Sequence, residues 1–527
     1  MTLSEQIEQR WVATRGPLFT DMYELAMAQV YVNEGIAERR AQFDYFFRSN
    51  PDYGAHQAGL GPFLAWLDGL TITSDHVTAL AELRTATDGR VFSDEFLTWL
   101  AAPGRFDGIE VTAIAEGRVV HPHEPVISVT GPLATCQLLE TALLNHLNYP
   151  TLIATKAARV VRSARGGRVL EFGMRRGPAT GVNDGIRAAL IGGCSSTSNV
   201  EAAIALGRDP IGTHAHSLVQ AYLALDPDGG NGGELAAFRA MAAAAPDECV
   251  LLVDTVDTLS SGVPHAIAVF DELRAAGHEP LGVRLDSGDL AYLAVQTAQL
   301  LDNAGYPDAS IVLSSDLDEL NIWQILTQIG DDAERLGLAP RPIRDRLVYG
   351  VGTRLITSHG SGALNGVYKL VGIEGDAGEW TPAIKISEDP GKVPLPGRKT
   401  AWRLYDTRGA AVVDLVGLAD EDPFPTEEIT VHHPTRSGIS QTIRRSDISH
   451  VEPLHQVVFG DGVDLADHGV DAAAARCAAD IDRLDIGVQR LVNPHRYHVS
   501  STDRLDALRR DLVAAATTRN QMGSDPE

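Results

Sequence analysis

The sequence predicts an α/β protein whose central part is an irregular, barrel-like (β/α) catalytic domain. From about residue 150 onward, short apolar runs alternate with helical patterns, and most neighbouring runs are separated by segments long enough to hold a helix. This alternation is typical of βα units that build a parallel sheet. Polar residues or glycine follow each run, and functional side chains of barrel enzymes gather at the carboxyl ends of strands. We therefore assign residues 150–380 to this domain.

Six apolar runs are the predicted strands of this domain. They lie at 168–172, 210–213, 249–253, 282–285, 310–313 and 346–349, with a helix predicted over 290–303. The N-terminal segment, residues 1–149, is predicted to form a helix over 17–33, strands over 41–48, 109–114 and 126–129, and a helix over 135–147. We expect this last helix to end at Asn148, Tyr149 and Pro150, because proline ends most helices.

The rest of the chain is predicted to form two further segments. Residues 381–450 carry a basic loop at 391–399, followed by strands within 401–417 and 427–445. Residues 451–527 are predicted to be mainly helical, with helices over 471–490 and 503–516.

Composition and charge exclude several classes of partner. The 527-residue chain has a formal net charge of −26, and such a field repels nucleic acid and anionic membranes. Its four cysteines form no CxxC pair, which fits a reducing compartment and argues against a cysteine-rich zinc site. The first ten residues lack the apolar core of a signal peptide, and no apolar run reaches about 18 residues. We expect a cytoplasmic protein.

The run at 210–213 leads into two histidines. If this run is a strand, its period of two places His214 and His216 on the same face. Imidazole is the side chain that most readily carries protons, or accepts a covalent group, near neutral pH. A pair of solvated loop histidines is the alternative interpretation.

Other strand ends carry groups suited to phosphates and sugars. Gly352 and Thr353 close a GxGT sequence that offers backbone N–H groups and a hydroxyl to a phosphate, although a tight turn would look the same. Asp286 and Asp289 could hold ribose hydroxyls or a magnesium-bound phosphate. Arg284 is predicted to share a strand face with Asp286.

Aromatic and cationic side chains complete the candidate set. Phe172 and Tyr23 are flat plates that could cover a planar ring, with core packing as the alternative role. Arg175 and Arg176 could pair with a carboxylate or a phosphate through a planar fork. Together these groups suit a phosphorylated sugar and a planar anionic ring. The chain has no GxxxxGK[ST] sequence, so P-loop nucleotide binding is not expected.

The order and spacing of these motifs resemble those of the nicotinate phosphoribosyltransferase family over nearly the whole chain. The matching motifs lie at 20–23, 171–176, 193–199, 212–217, 284–289, 349–353, 366–370 and 493–497.

The resemblance implies a fold, a reaction and an assembly. The fold is that of a type II phosphoribosyltransferase, with an open-faced α/β sandwich domain beside the barrel-like domain and a helical C-terminal extension. The reaction joins nicotinate to 5-phosphoribosyl 1-pyrophosphate (PRPP), gives nicotinate mononucleotide and pyrophosphate, and is coupled to ATP hydrolysis through a phosphohistidine. The implied cofactor is Mg²⁺, with ATP as co-substrate. The implied assembly is a homodimer with its active site at the interface.

The resemblance also implies roles for individual residues. His216 is the phosphorylated histidine, and Asp286 is a ribose-binding acid. The implied substrate-binding residues are Tyr23 (from the partner subunit), Phe172, Arg175, Thr213, Arg284, Ser315, Gly352 and Thr353. No fixed metal ligand is implied, and magnesium is expected to arrive with PRPP or ATP, near Asp286 and Asp289.

Three alternatives remain at this point. Related nicotinamide-using enzymes carry an acid after a Gly-Thr pair, where this chain has His214. This difference favours nicotinate, and His214 could add a donor near its carboxylate. A metal-dependent amidohydrolase also uses HxH on a barrel strand. A sensor of nucleotide precursors would have the same pocket but would not need His216.

Overall fold

A computed structural model describes residues 16–48, 54–226, 232–386, 392–460 and 468–522. The fold is mixed α/β with several sheets, which confirms the predicted class. Two compact units are present. One holds Lys156–Gly362, and the other holds the described residues up to Thr155 and from Ala363 onward. The predicted segments 1–149, 150–380, 381–450 and 451–527 stay a prediction about domains. Residues 1–10 and residue 391 of the predicted basic loop lie outside the described residues.

The N-terminal elements begin the discontinuous unit. In chain order they are α1 (Met22–Asn33), β1 (Arg40–Phe47), β2 (Ala55–His56), α2 (Leu60–Asp68), α3 (Ser74–Ala81), α4 (Asp94–Leu100), β3 (Glu110–Ile114), β4 (Val119–Val120), β5 (Ile127–Pro132), α5 (Leu133–Leu138) and α6 (Glu140–Ser163). Strand β1 is buried on both faces after its first residue, although its sequence alternates. Its polar residue Asp44 is tolerated there because Ser128 donates to it at 2.7 Å and Lys399 lies 2.9 Å away.

The predicted end of a helix at Pro150 is wrong. Helix α6 continues through Pro150 to Ser163. Proline cannot donate to the carbonyl oxygen four residues earlier, which belongs to His146. The backbone of Gly59 closes over that oxygen: a Cβ on Gly59 would lie 1.9 Å from it, and Gly59 has a φ of +96°. The backbone of Gly59 therefore covers the carbonyl oxygen of His146, to which Pro150 cannot donate.

The continuous unit carries the predicted βα repeats. Beyond the end of α6 its elements are β6 (Arg168–Glu171), α7 (Val182–Ile191), β7 (Ser196–Thr197), α8 (Val200–Ala205), α9 (His216–Leu225), α10 (Gly232–Ala244), β8 (Val250–Leu252), α11 (Val263–Ala275), β9 (Gly282–Leu285), α12 (Leu290–Asn303), β10 (Ser310–Ser314), α13 (Glu319–Arg335), α14 (Pro340–Asp345), β11 (Leu347–Val351) and α15 (Thr353–Ile356). All neighbouring strands pair in parallel, in the order β7-β6-β11-β10-β9-β8. Helix α12 has the predicted bounds.

One predicted strand of this unit, 210–213, is not a strand. Pro210 has no N–H to donate to a ladder, and the segment is irregular. It nevertheless bridges the two edge strands of the sheet. The N–H of Ile211 donates to the carbonyl of Thr197 in β7 at 3.0 Å. The N–H of Leu252 in β8 donates to Nε2 of His214 at 2.9 Å. The segment thus occupies the place between β7 and β8 where a strand was expected.

The C-terminal elements complete the discontinuous unit. They are β12 (Gly366–Glu374), β13 (Trp380–Pro382), β14 (Lys399–Asp406), β15 (Ala411–Leu418), β16 (Glu428–His432), β17 (Ser440–Arg444), β18 (Ile448–Pro453), β19 (His455–Phe459), α16 (Val470–Arg483), β20 (His498–Ser501) and α17 (Asp503–Met522). The predicted strands within 401–417 and 427–445 are confirmed by β14 to β17. The helix predicted over 471–490 ends early, at Arg483, where Leu484 turns into extended backbone.

Two six-stranded sheets organise this unit. The first has the order β13-β12-β1-β5-β3-β19 and is antiparallel throughout. The second has the order β17-β16-β20-β15-β14-β18. A core of buried aromatic and aliphatic side chains includes Phe43, Tyr45 and Phe63, and Phe43 stacks on Tyr368 with 4.9 Å between ring centroids. Within the described ranges, no helix has both the length and the hydropathy needed to cross a membrane.

A buried ionic cluster joins distant parts of the second sheet. Arg403 binds both carboxylate oxygens of Asp414, at 2.8 and 2.7 Å, and reaches Asp480 of α16 at 2.9 Å. Tyr497 donates its hydroxyl to Asp414 at 2.9 Å, and its ring stacks on His121 with 4.1 Å between centroids. The motif at 493–497 is therefore anchored in this unit by its tyrosine.

Candidate active site

An arginine, an aspartate and a serine form one hydrogen-bonded group at the carboxyl ends of strands β9 and β10. Arg284 donates from Nε to Ser314 Oγ at 2.8 Å, and from Nη2 to Asp286 Oδ1 at 2.8 Å. It also donates from Nη1 to Oγ1 of Thr213 at 3.1 Å. The guanidinium has five N–H donors and these contacts use three, so two remain for a ligand. The predicted shared face of Arg284 and Asp286 is confirmed by their direct contact.

The carboxylate of Asp286 is held in its charged form. Burial raises its pKa, but the hydrogen bond from Ser314 and the charge and hydrogen bond of Arg284 outweigh burial, so the pKa lies below its usual value. Asp286 is therefore an anion at neutral pH.

His216 lies beside this group, as the first residue of α9. Its Nδ1 is in hydrogen-bond contact with Thr255 Oγ1 at 3.0 Å. Its Nε2 lies 3.9 Å from Asp254 Oδ1 and 3.8 Å from Asp286 Oδ2, distances too long for hydrogen bonds. One ring nitrogen is thus fixed by a hydroxyl, and the other faces two carboxylates across a small gap.

Asp254 connects the ends of strands β8 and β9. Its Oδ2 accepts from the backbone N–H of Asp286 at 3.0 Å and from the hydroxyl of Ser287 at 2.5 Å. The side chain is 2% exposed. Its Oδ1 is buried and has no hydrogen-bond partner in the described part of the chain. An unsatisfied buried carboxylate oxygen that faces His216 and Asp286 suits a cation or a proton donor.

Phe172 follows β6 and forms a wall of the site. A Cβ on Gly350 would lie 2.6 Å from its ring carbons, so only glycine permits the ring to lie against β11. The guanidinium carbon of Arg284 is 5.7 Å from the ring centroid. An aromatic plate therefore stands beside the terminal edge of Arg284.

Two loops at the ends of β10 and β11 form a further part of the site. Ser315 and Asp316 have φ values of 103° and 44°, a conformation that costs free energy for residues other than glycine. In the next loop, Gly352 and Thr353 begin α15, and Arg354 binds Asp318 at 2.7 Å. Asp318 in turn accepts the N–H groups of Leu320 and Asn321 at the start of α13. An ion pair thus ties the predicted phosphate loop to the strained loop beside it.

His214 does not share the environment of His216. It is 8% exposed, and burial lowers its pKa, so the ring is neutral. Because Nε2 accepts the N–H of Leu252, Nδ1 carries the ring hydrogen and donates to the carbonyl of Ala215, 3.3 Å away. Both nitrogens bind backbone, so the expectation that His214 adds a donor near the substrate carboxylate is wrong. The same-face expectation fails as well, because the segment is not a strand.

Three other predicted residues have surroundings of their own. Tyr23 is on α1 of the discontinuous unit and is 47% exposed, with its pKa raised by burial and by nearby acids. Arg175 is exposed in a short 3-10 turn after Phe172. Asp289 caps α12: it accepts from Tyr292 N at 3.1 Å, and Gln328 donates to both its oxygens. The magnesium role assigned to Asp289 stays a prediction.

Sequence reasoning counted Asp254, Thr255 and Ser314 among the polar residues at the strand ends but assigned them no role. A signal for each was present, because Asp254 and Thr255 follow a predicted strand and Ser314 ends another. Carboxyl ends of neighbouring parallel strands meet at one edge of a sheet.

Known proteins similar to this chain include nicotinate phosphoribosyltransferases from bacteria and eukaryotes. The sequence matches the nicotinate phosphoribosyltransferase N-terminal domain over residues 18–148, the nicotinate phosphoribosyltransferase family over 168–401, and the corresponding C-terminal domain over 398–509. It is 39% identical to the nicotinate phosphoribosyltransferase of Bacillus subtilis, over 85% of this chain and 84% of that protein. It is 33% identical to the enzyme of that name from Bos taurus, over 96% and 98%. The crystal structure of human nicotinic acid phosphoribosyltransferase superposes with a TM-score of 0.76 and 28% identity, over 94% of this chain and 99% of that one.

Proposed function

This chain belongs to the nicotinate phosphoribosyltransferase family, and from that premise we propose how its residues divide the reaction among them. The reaction of the family is that of this chain. The ring nitrogen of nicotinate forms a bond to C1 of PRPP, the bond from C1 to pyrophosphate breaks, and nicotinate mononucleotide results. The reaction belongs to the salvage route of NAD biosynthesis.

Arg284 recognises the carboxylate of nicotinate. Ser314, Asp286 and Thr213 take three of its five N–H donors, which leaves two for a ligand. Two parallel N–H donors match the two oxygens of a carboxylate. A carboxamide would set its own NH₂ group against one of these donors, so the geometry favours nicotinate over nicotinamide. Phe172 covers one face of the pyridine ring, and Thr213 supports Arg284 from the other side.

Asp286 and the two loops hold the phosphoribosyl group. Oδ2 of Asp286 accepts no hydrogen bond in the described part of the chain and is the oxygen left for ribose hydroxyls. Gly352 and Thr353 offer backbone N–H groups and a hydroxyl to the 5-phosphate. Ser315 lies in the strained loop beside them, and Arg175 is the exposed cation nearest in sequence to Phe172.

Glycosyl transfer develops positive charge at C1 and negative charge on the departing pyrophosphate. The carboxylate of Asp286 stabilises the first. Mg²⁺ supplies charge neutralisation to the pyrophosphate when it is bound. Asp254 and Asp286 are the residues that would hold it, since Oδ1 of Asp254 is buried without a hydrogen-bond partner in the described residues and both carboxylates lie within 3.9 Å of Nε2 of His216.

His216 accepts the phosphoryl group of ATP. Thr255 fixes Nδ1, which leaves Nε2 as the nitrogen open to attack on the γ-phosphorus. The bond from phosphorus to the bridging oxygen breaks, ADP leaves, and water later releases the group as phosphate. Nδ1 keeps the ring hydrogen and donates it to Thr255, so Nε2 attacks with its lone pair, and the carboxylate of Asp254, 3.9 Å from Nε2, stabilises the positive charge that develops on the ring.

We extend the proposal to the types of domain, to the assembly and to the location of the enzyme. The bridge of residues 210–214 between β7 and β8 supports an irregular barrel-like domain. The discontinuous unit corresponds to the open-faced sandwich with a helical extension after it. Helix α1 exposes Met22, Tyr23, Met27 and Val30, which supports a homodimer in which Tyr23 reaches the partner's pyridine site. We place the enzyme in the cytoplasm.

The observation that carries the proposal is the gathering of Arg284, Asp286 and His216 at neighbouring strand ends. Incubation with Mg-ATP, followed by peptide mapping at mildly alkaline pH, tests it. We expect an acid-labile phosphate on the peptide that holds His216, discharged when nicotinate and PRPP are added. His216→Asn is the control and carries no phosphate. If mononucleotide forms while wild-type enzyme stays unphosphorylated, the coupling is wrong and the transferase assignment stands.

A further inference from the structure

Ser314 is a hydroxyl residue at the end of an otherwise apolar strand. The three preceding residues of β10 are Ile311, Val312 and Leu313, and all are buried. Ser314 is itself 3% exposed. A buried hydroxyl costs free energy unless it is hydrogen-bonded, so its presence at this position calls for partners. Those partners are two residues of the substrate site and, at 3.3 Å, the carbonyl of Leu285.

The hydroxyl of Ser314 bridges Arg284 and Asp286. Its oxygen accepts the Nε–H of Arg284 at 2.8 Å. Its hydrogen is donated to Oδ1 of Asp286 in a short contact. One atom therefore acts as acceptor to the cation and donor to the anion, both in charge-assisted hydrogen bonds.

This bridge fixes what each charged group can offer to a ligand. Arg284 is held at Nε by Ser314 and at Nη2 by Asp286, which limits the rotation of the guanidinium beside Phe172. Asp286 receives Ser314 and Arg284 on the same oxygen, Oδ1. Its other oxygen, Oδ2, is thereby directed toward the gap in front of His216, 3.8 Å from Nε2.

We propose that Ser314 is a positioning residue that couples the pyridine half-site to the ribose half-site and sets the preference for a carboxylate over a carboxamide. The inference rests on the roles of Arg284 and Asp286 given above. Without the hydroxyl, Arg284 loses the acceptor of its Nε–H and Asp286 loses a donor. The positions of the Arg284 and Asp286 side chains relative to each other are then no longer fixed.

Steady-state kinetics of Ser314→Ala tests this inference in the full-length enzyme. The KM of nicotinate, the KM of PRPP, kcat, and the Ki of nicotinamide as a competitive inhibitor are measured. Loss of a hydrogen bond to a charged group predicts a fall of about 30-fold in kcat/KM for nicotinate, mainly through KM. The KM of PRPP rises several-fold, and the Ki of nicotinamide stays nearly constant. Ser314→Cys, which preserves volume but bonds weakly, shows the same losses.

Ser310→Ala is the matched control, because Ser310 begins the same strand at its far end; its constants stay at wild-type values. Two results overturn the inference. One is unchanged selectivity and unchanged KM values in Ser314→Ala and Ser314→Cys. The other is an equal loss for nicotinate and nicotinamide with a lowered midpoint of thermal unfolding, which is the result of a general packing defect.

Arg284→Lys separates this inference from the assignment on which it rests. A lysine cannot present the planar fork that a carboxylate matches. If Arg284→Lys leaves the selectivity for nicotinate unchanged, the pyridine role of Arg284 is wrong. If Arg284→Lys loses selectivity and Ser314→Ala keeps it, the coupling role of Ser314 alone is wrong.

Discussion

At the scale of single residues, Asp254 holds the centre of the site together. One of its oxygens fixes the backbone and the hydroxyl after β9, and the other faces the ring of His216. An amide in its place would retain one acceptor, but it would carry no charge toward the imidazole. Asp254 is therefore expected to matter more to catalysis than to substrate affinity.

We expect Asp254→Asn to lower kcat by about 100-fold with little change in the KM of nicotinate, because a charged partner of the proton-carrying histidine is lost. Steady-state kinetics with saturating PRPP and ATP measures this effect. A fall in kcat/KM that arises entirely from KM would assign Asp254 to substrate binding instead.

Asp289→Asn is the informative comparison, since Asp289 caps α12. If Asp289 acts only as a cap, the variant should leave both kcat and the free energy of unfolding nearly unchanged, because asparagine caps a helix about as well as aspartate. A loss of kcat comparable to that of Asp254→Asn would show that Asp289 holds magnesium.

Contacts between site residues were predictable where the two residues are close in sequence. Arg284 and Asp286 touch because residues two apart on a strand share a face. Ser314 was not predicted, because its partners arise only from the pairing of β9 with β10. The role of His214 was misjudged for a related reason: its partner, Leu252, lies on a strand that is distant in sequence.

At the scale of elements, the segment 210–214 performs the work of a missing strand. The backbone N–H of Ile211 binds β7, and the imidazole of His214 binds β8. These two contacts replace the hydrogen bonds that a strand would make. The same segment carries Thr213 and leads directly into His216. The position of two site residues therefore depends on how this segment is fixed to β8.

We expect His214→Leu to lower the free energy of unfolding by about 2 kcal/mol, because the buried N–H of Leu252 loses its acceptor. The KM of nicotinate should rise as Thr213 shifts. Urea unfolding and steady-state kinetics measure the two effects. His278→Leu is the control: His278 pairs with Asp247 at the surface, and its loss should change stability by no more than about 0.5 kcal/mol. Equal stability of both variants would contradict the bridging role.

Elements were predictable where periodicity is strong and local. Helix α12 has its predicted bounds because its apolar period and its Asp289 cap agree. Helix α6 passes the proline at which it was expected to stop, since Gly59, distant in sequence, covers the carbonyl of His146. Pro210 prevented a strand where apolar residues alone suggested one. In both failures, proline was read without its tertiary surroundings.

At the scale of the whole molecule, the buried ionic cluster links residues far apart in the chain. Glu124, fully buried, faces Asp414, and burial together with that carboxylate raises the pKa of Glu124 well above its usual value. Burial also acts on Asp414, but Arg403 holds the pKa of Asp414 below its usual range. Of the two carboxyl groups, Glu124 is therefore the one that favours the bound proton.

This proton makes the stability of the enzyme depend on pH. The pKa of Glu124 is higher in the folded than in the unfolded chain, so unfolding releases a proton at a pH between the two values. The free energy of unfolding then falls as pH rises through this window, by up to about 1.4 kcal/mol per pH unit. We expect Glu124→Gln, which is neutral at every pH, to remove this part of the slope in urea unfolding at several pH values above about 5.

Asp414→Asn is the comparison that tests the cluster itself. It leaves Arg403 buried with a weaker partner, and we expect a loss of about 4 kcal/mol. A pH slope in Glu124→Gln identical to that of the wild type would show that Glu124 is ionised in the folded state.

Contacts between residues that are far apart in the chain explain which features of the whole fold could not be predicted from the sequence. The alternation of runs and helices predicted a mixed α/β fold, because each βα unit is local. The sheet order β13-β12-β1-β5-β3-β19 was not predictable, since its neighbours come from both ends of the chain. Tyr497 belonged to a recognised motif, yet its role became clear only when Asp414 was found beside it.

The interrupted course of the discontinuous unit has a consequence for synthesis on the ribosome. Strands β1, β3 and β5 emerge early, but their neighbours β12, β13 and β19 are translated only after the whole of Lys156–Gly362. The inserted unit has all its strands available first, reversing the usual order in which N-terminal domains fold before later ones. Until β19 emerges, the nascent chain carries unpaired strand edges, which are sites of aggregation that chaperones protect. A nonsense mutation shortly after Gly362 would therefore spare the strands of the inserted unit and leave β1 and β3 without their partners β12 and β19.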